Sequence, residues 1–274
     1  MKYVLNRDAR EEFERLERQS TFPQYDYQRE LALSGMYFDK GQSVLDAGTG
    51  SGIVARYIAR EFGCNVTGCD FSKERVVEAR KAASGIENLI FEAQDLTALT
   101  FPKNKFDAVV CRYVLEHIPN GGQDRVIAEL LRCLKPGGKL CAIDADGLLS
   151  NIYPRTPLMN EVLERLEQSP RVDLKVGRKI ADLMTTAGFE NVNVIIQAMD
   201  FSDEQVRKLE IEMMRSRFDA AFAYFAEVAG GEQKARRFVD EYLQVMQQPG
   251  SVLFYNKFIV TGVKPKPVRM TLLK

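Results

Sequence analysis

The chain has 274 residues, 45% apolar and 28% charged, with Lys+Arg and Asp+Glu balanced at 38 each. That composition suits one large α/β domain with an elaboration, or two modest domains, and the zero formal net charge excludes a general electrostatic attraction to nucleic acid or anionic membrane. No run approaches the ~20 apolar residues of a bilayer span, and the N-terminal stretch MKYVLNRDAREEFERLERQ is charged throughout without an apolar h-region, so a cytoplasmic protein is expected.

Taken in chain order, short apolar runs alternate with amphipathic ones. SVLDA (43–47), NVTGCD (65–70), NLIFEA (88–93), FDAVVC (106–111) and GKLCAID (138–144) are partly β-branched and bounded by Gly, Asp or Pro, which predicts strands. Between them, Ile53, Tyr57, Ile58 and Phe62, then Val76, Val77 and Ala83, then Val126, Ile127, Leu130, Leu131 and Leu134 keep helical spacing. Ser72 stands at an N-cap position and KPGG (135–138) reads as a helix stop. This rhythm predicts a doubly wound, mainly parallel α/β core over roughly residues 40 to 145. Further on, PLMNEVLERLEQ and VGRKIADLMTTAGF read as helices and NVNVIIQAM (191–199) as a strand. A long helix is then predicted from about Asp203 to Ala229, broken by Gly230 and Gly231, followed by a helix carrying Phe238, Tyr242 and Met246. SVLFYNKFIVTGV (251–263) is a last strand and KPKPVRMTLLK a loose tail. The division expected is an N-terminal helical cap (1–40), a core (41–200 and 250–264) and a helical insertion (201–249) that serves as substrate cap or dimer contact.

The five cysteines (Cys64, Cys69, Cys111, Cys133, Cys141) form no CxxC pair and read as reduced, buried hydrophobes. With a single histidine in the chain, His117, thiol chemistry is not favoured.

The stretch VLDAGTGSG (44–52) carries the first chemical signal. An acid, Asp46, and the turn Gly48-Thr49-Gly50-Ser51-Gly52 follow a strand and open a helix, so glycine backbone can approach a ligand closely. Asp70 ends the second strand 22 residues after Gly48, near the ~20-residue spacing at which a carboxylate accepts from ribose hydroxyls. Asp95 follows the third strand, where a carboxylate can accept from an adenine amino group with Phe71 and Leu96 as walls for the ring. Each acid alone also reads as a turn or N-cap carboxylate; three at successive strand ends favour a ligand.

VLDAGTGSG, VTGCDFS, FEAQDL, FDAVVCRYVLEHI (106–118), LLRCLKPGGKL (130–140) and LMTTAGFENV (183–192) together resemble the class I S-adenosylmethionine-dependent methyltransferases, in particular the branch of ubiquinone- and menaquinone-type and other small-molecule enzymes. The resemblance implies a Rossmann-like seven-stranded sheet of order 3-2-1-4-5-7-6 with the last strand antiparallel, and S-adenosylmethionine over the strand tips. It implies that Asp46, Gly48 and Gly50 face the methionine part, with Thr49 also binding the cofactor, that Asp70 takes the ribose and Asp95 the adenine, and that Arg112 lies near the methionine carboxylate, although Arg112 also reads as an ordinary surface arginine. Tyr25 and Arg29 stand where such enzymes fold an N-terminal helix over the cofactor.

A sulfonium activates its own methyl group, so the protein has mainly to align a nucleophile, exclude water and accept a proton where one is lost. His117 is the candidate general base, against a reading of LEH as a structural turn. Tyr113, Asp144 and Tyr153 are candidate acceptor contacts, with Asp146 beside them. The DxD pair could suggest a divalent ion, but no metal site is expected without further acids converging on it. Phe218, Phe222 and Tyr224 either roof the pocket or pack as core or dimer contact. Two other readings stay open: an NAD(P)-dependent oxidoreductase, disfavoured by GxGxG in place of GxGxxG, and a non-catalytic S-adenosylmethionine-binding protein. The expected acceptor is a small molecule, methylated on O, N or C. A basic stripe for nucleic acid is lacking, as is an Asn/Asp-Pro-Pro-Tyr-like motif where CRYVLEH stands. A monomer or homodimer is expected.

Overall fold

The computed structural model describes residues 9–119 and 121–267; the first eight residues of the expected cap and residues 268–274 of the expected tail lie outside the described residues. In chain order the elements begin α1 (Ala9–Ser20), α2 (Tyr27–Ser34), β1 (Ser43–Ala47), α3 (Ile53–Phe62), β2 (Asn65–Asp70), α4 (Lys73–Ala82), β3 (Leu89–Ala93), β4 (Phe106–Arg112), α5 (Gln123–Cys133) and β5 (Leu134–Asp146). They continue β6 (Ile152–Tyr153), α6 (Pro157–Glu167), α7 (Ile180–Ala187), β7 (Glu190–Asp200), α8 (Glu204–Ala220), α9 (Phe222–Ala229), α10 (Glu232–Gln247) and β8 (Val252–Val263).

β1 pairs in parallel with both β2 and β4, and β3 and β5 extend the sheet on either side. β8 runs antiparallel to β5 and to β7, so the main strands follow the order 3-2-1-4-5-8-7. This is the order expected from the family resemblance, with the numbering advanced by the unforeseen two-residue β6, which pairs with the start of β8.

Period-two alternation sends neighbouring strand residues to opposite faces. Val44 and Val110 pack with Ile58 and Ala79 under α3 and α4, whereas Leu45 and Val109 pack with Ile127 and Leu130 under α5. Both faces are therefore covered, as a parallel sheet requires. Ser72 caps α4 by accepting from the Arg75 N–H at 3.2 Å. All five cysteines are buried and unbridged, and burial pushes the Cys64 thiol up to about 11 and the Cys141 thiol up to about 12.

The helix predicted through Asp203–Ala229 breaks at Ala221, where φ −103° and ψ 11° leave the helical range and separate α8 from α9. The bend folds Phe225 back on Phe218, ring centroids 5.0 Å apart, and Phe218 also meets Phe238 and Tyr242 at 5.8 and 5.3 Å. Such edge-to-face pairs contribute about 0.5–1.5 kcal/mol each beyond area burial. Among the described residues, no helix is long and apolar enough to cross a membrane.

Candidate functional site

Strand order reverses at β1, between β2 and β4, and the crevice at the carboxyl ends of these strands is where doubly wound sheets take ligands. The glycine turn lies there. Its backbone is pinned to the tip of β2, because the N–H groups of Gly48 and Thr49 both donate to the Cys69 carbonyl at 2.8 Å. Gly48 has φ +76°, and a Cβ there would lie 2.3 Å from Val114 Cγ2, so glycine is needed for both dihedral and space. Asp46, at the end of β1, accepts the Thr49 hydroxyl at 2.6 Å. Burial raises its carboxyl to about 6, with the Thr49 hydrogen bond and the Arg112 charge working against that rise.

Asp70 bridges the turn and the next helix: Oδ2 accepts the Gly50 N–H at 3.1 Å and Oδ1 the Ser72 N–H at 3.0 Å. A carboxylate offers about four lone-pair sites, so acceptor capacity remains for ligand hydroxyls. Asp95 uses one oxygen, Oδ1, for both the Thr97 N–H at 2.9 Å and the Thr97 hydroxyl at 2.7 Å. Leu96 is buried beside it, while the Phe71 ring is 52% exposed at the mouth.

Tyr25 is buried and its hydroxyl is hydrogen-bonded to that of Tyr255 while accepting from Arg217 Nη2 at 2.6 Å. Arg112 is no loose surface group: Nε and Nη2 grip the carboxylate of buried Glu30 at 2.5 and 3.2 Å, and Nη2 also reaches the Tyr25 carbonyl at 2.8 Å. Its guanidinium lies 4.6 Å from the Tyr113 ring centroid. Tyr113 itself is held at φ +53°, unusual for a bulky side chain, and its hydroxyl is buried without a hydrogen-bond partner. His117 ends a 3-10 turn (Leu115–His117), with Nε2 3.3 Å from Glu116 Oε1 and 27% of its side chain exposed. Burial lowers its pKa below the ordinary 6.5, with Glu116 opposing, which keeps the imidazole neutral at pH 7.

These groups border one cavity of about 910 Å3, at the upper end of the ~300–1,000 Å3 of small-molecule sites. Asp46, Gly48, Thr49, Gly50, Asp70, Phe71, Asp95, Leu96, Arg112, Tyr113, Tyr25 and His117 all line it, as do Phe218 and Tyr224. Two acceptor candidates do not. Asp144 is buried with Oδ2 accepting the N–H groups of Val114, Leu115 and Glu116 at 3.1, 2.9 and 3.3 Å, so its carboxylate organises the turn that carries His117. Tyr153 is 72% exposed on β6, away from the cavity. Asp146 is likewise committed, to Arg178 at 2.5 Å, Arg29 is exposed, and Phe222 stacks against Arg236 at 4.7 Å.

The residues not foreseen come from α1 (Arg15, Leu16, Gln19) and the insertion (Met214, Arg217), with Glu30 as the partner of Arg112. Glu30 is next to Arg29, and only the phase of α2 decides which of the two points inward.

The glycine turn at the switch point of the doubly wound sheet and the acids at the next two strand tips all open on this cavity. A family model described as a methyltransferase domain matches residues 44–138. The chain is 30% identical over 183 residues to a phosphoethanolamine N-methyltransferase of Plasmodium falciparum, covering 66% of this chain and 64% of that protein. It is 31% identical over 166 residues to the ubiquinone/menaquinone biosynthesis C-methyltransferase UbiE of Desulfotalea psychrophila, covering 55% of this chain and 66% of that one. It thus spans just under two thirds of the length of these relatives. Among solved structures, phosphoethanolamine N-methyltransferase 2 of Haemonchus contortus, in complex with phosphomonomethylethanolamine and S-adenosylhomocysteine, aligns with TM-score 0.58 at 22% identity, over 88% of this chain and 53% of that one. The [4+2]-cyclase SpnF aligns with TM-score 0.58 at 23% identity, over 89% and 82%. These two structures share the fold, and the cyclase shows that the fold alone does not fix the reaction. The chain thus carries a methyltransferase domain over residues 44–138 and has the Rossmann-like fold of the class I S-adenosylmethionine-dependent methyltransferases it resembles.

Proposed function

We propose that the protein binds S-adenosylmethionine along the glycine turn and strand tips and transfers its methyl group to a small molecule held under the insertion helices. The observation that carries this reading is the single cavity joining both halves: Gly48, Asp70 and Asp95 line one side and Met214, Phe218 and Phe225 the other. The residues fit the cofactor. Gly48 and Gly50 leave backbone free of Cβ at the turn, Asp70 keeps acceptor capacity for ribose hydroxyls, Asp95 keeps Oδ2 for an amino group, and buried Asp46 suits the cationic end of an amino acid.

Held by these residues, S-adenosylmethionine would supply an electrophilic methyl group for transfer to an acceptor lone pair. The chain's own groups have the simpler task of alignment and exclusion of water. α1 contributes Leu16 and Gln19 to the wall beside the glycine turn, and Tyr25 and Tyr113, their rings 5.9 Å apart, line the same cavity. A neutral His117, which also lines the cavity, can take the proton of an acceptor hydroxyl or amine, and Glu116 beside it stabilises the imidazolium that results.

Incubation with methyl-labelled S-adenosylmethionine and a fractionated cell extract tests the reading. Label is expected in the low-mass fraction with stoichiometric S-adenosylhomocysteine; label confined to protein or RNA would overturn the small-molecule assignment, and none anywhere would favour a non-catalytic cofactor-binding protein.

A further inference from the structure

The acceptor side of the cavity differs in chemistry from the cofactor side. Leu148 and Leu149 after β5, Leu166 of α6, Leu174, Met214 of α8 and Phe225 of α9 make its wall. The cations that reach this side are already engaged by buried carboxylates. Arg217 donates to the carboxylate of buried Glu210 at 2.7 Å, and Arg112 is held by Glu30, which also pairs with buried Lys257 at 2.6 Å. The other lining cations, Arg15, Lys73 and Arg75, belong to α1 and α4 beside the glycine turn. A phosphate dianion seated under the insertion would therefore lose its water and, among the described lining residues of this side, meet only cations already hydrogen-bonded to a carboxylate, and a buried charge without its own partner is costly. A few hydroxyls remain as polar handles: those of Tyr25 and Tyr255, and that of Tyr224, which bonds Ser169 at 2.5 Å.

We propose that the acceptor is an uncharged, mainly apolar molecule carrying a hydroxyl or carbonyl oxygen, and that the site rejects the phosphorylated amines named for several of the chain's relatives. This rests on the methyltransferase reading and narrows it. Apolar walls give the affinity and the tyrosine hydroxyls fix one oxygen, the usual division of labour in a small-molecule pocket.

The test uses the full protein saturated with S-adenosylhomocysteine and titrated calorimetrically with 2-naphthol, a neutral aromatic with one hydroxyl, and separately with phosphoethanolamine. Micromolar saturable binding of 2-naphthol and none of phosphoethanolamine is expected. Leu148→Glu, at a half-buried wall position, should weaken 2-naphthol by at least ~10-fold while leaving the S-adenosylhomocysteine affinity in place, which also reports that the variant folds. Phosphoethanolamine binding, failure of 2-naphthol to bind, or 2-naphthol binding indifferent to Leu148→Glu would each overturn the proposal. Failure of the wild-type protein to bind S-adenosylhomocysteine at all would instead overturn the cofactor assignment beneath it.

Discussion

Asp46 links the stability of the ligand-free protein to its capacity to bind. Burial raises its carboxyl from 3.8 to about 6. A carboxyl whose folded value lies above its unfolded one stabilises the fold fully below the unfolded value, and that stabilisation is lost as pH rises through the folded value. A gap of about two pH units at 1.36 kcal/mol each puts the total loss at about 3 kcal/mol, of which ~1 kcal/mol falls between pH 5 and pH 7. Asp46→Asn keeps the shape and an oxygen for the Thr49 hydroxyl but cannot titrate. Urea unfolding of both ligand-free proteins at the two pH values reads the effect. Relative to the variant, wild type should lose ~1 kcal/mol on going from pH 5 to pH 7. The variant should also bind S-adenosylmethionine more weakly at pH 7, having no carboxylate to offer its cationic end. A difference between the two proteins that stays constant with pH, or that grows in favour of wild type as pH rises, would refute the reasoning.

Asp70→Ala removes the group that accepts from both Gly50 and Ser72 and should weaken S-adenosylhomocysteine binding by at least ~10-fold in a calorimetric titration, loosening the turn as it does so. Gly48→Ala places a Cβ 2.3 Å from Val114 Cγ2 at φ +76° and should cost about 1–3 kcal/mol in thermal unfolding. Gly50→Ala meets only the end of the Leu16 side chain at 3.0 Å and should cost less. Glu30→Gln strips the partner from both Arg112 and Lys257, leaving buried positive charge, and should destabilise by about 3–5 kcal/mol, read by urea unfolding. If His117 is the base, kcat/KM for a hydroxyl acceptor should rise with pH through a value below 6.5 and stay flat above it. His117→Ala should abolish that limb and lower the plateau while leaving cofactor affinity unchanged; an unaltered profile would remove His117 from the chemistry.

The doubly wound core was legible because parallel strands buried on both faces read as unbroken apolar runs, such as FDAVVC, set between helices of regular spacing. The glycine turn and the acids at the strand tips were legible for a related reason: their place at the ends of those runs puts them at the crevice. What failed depended on direction, which sequence spacing does not carry. Asp46 and Asp144 both lie near the carboxyl ends of their strands, yet the first faces the cavity and the second turns to the amides of residues 114–116. Arg29 and Glu30 are adjacent on an eight-residue helix too short for its apolar pattern to fix a phase. The break at Ala221 has no Gly or Pro to announce it and follows from packing Phe225 on Phe218. Tyr153 follows β5 closely in sequence, but β6 pairs it with the start of β8, a contact between distant segments that local spacing does not carry.

The most direct test of the central claim, that the turn at Gly48–Gly52 with Asp70 and Asp95 is built for an adenosyl sulfur cofactor, is side-by-side titration of the purified protein with S-adenosylmethionine, S-adenosylhomocysteine and NAD(H). The account predicts micromolar binding of both sulfur ligands and no heat from NAD(H); binding of NAD(H) alone would contradict it.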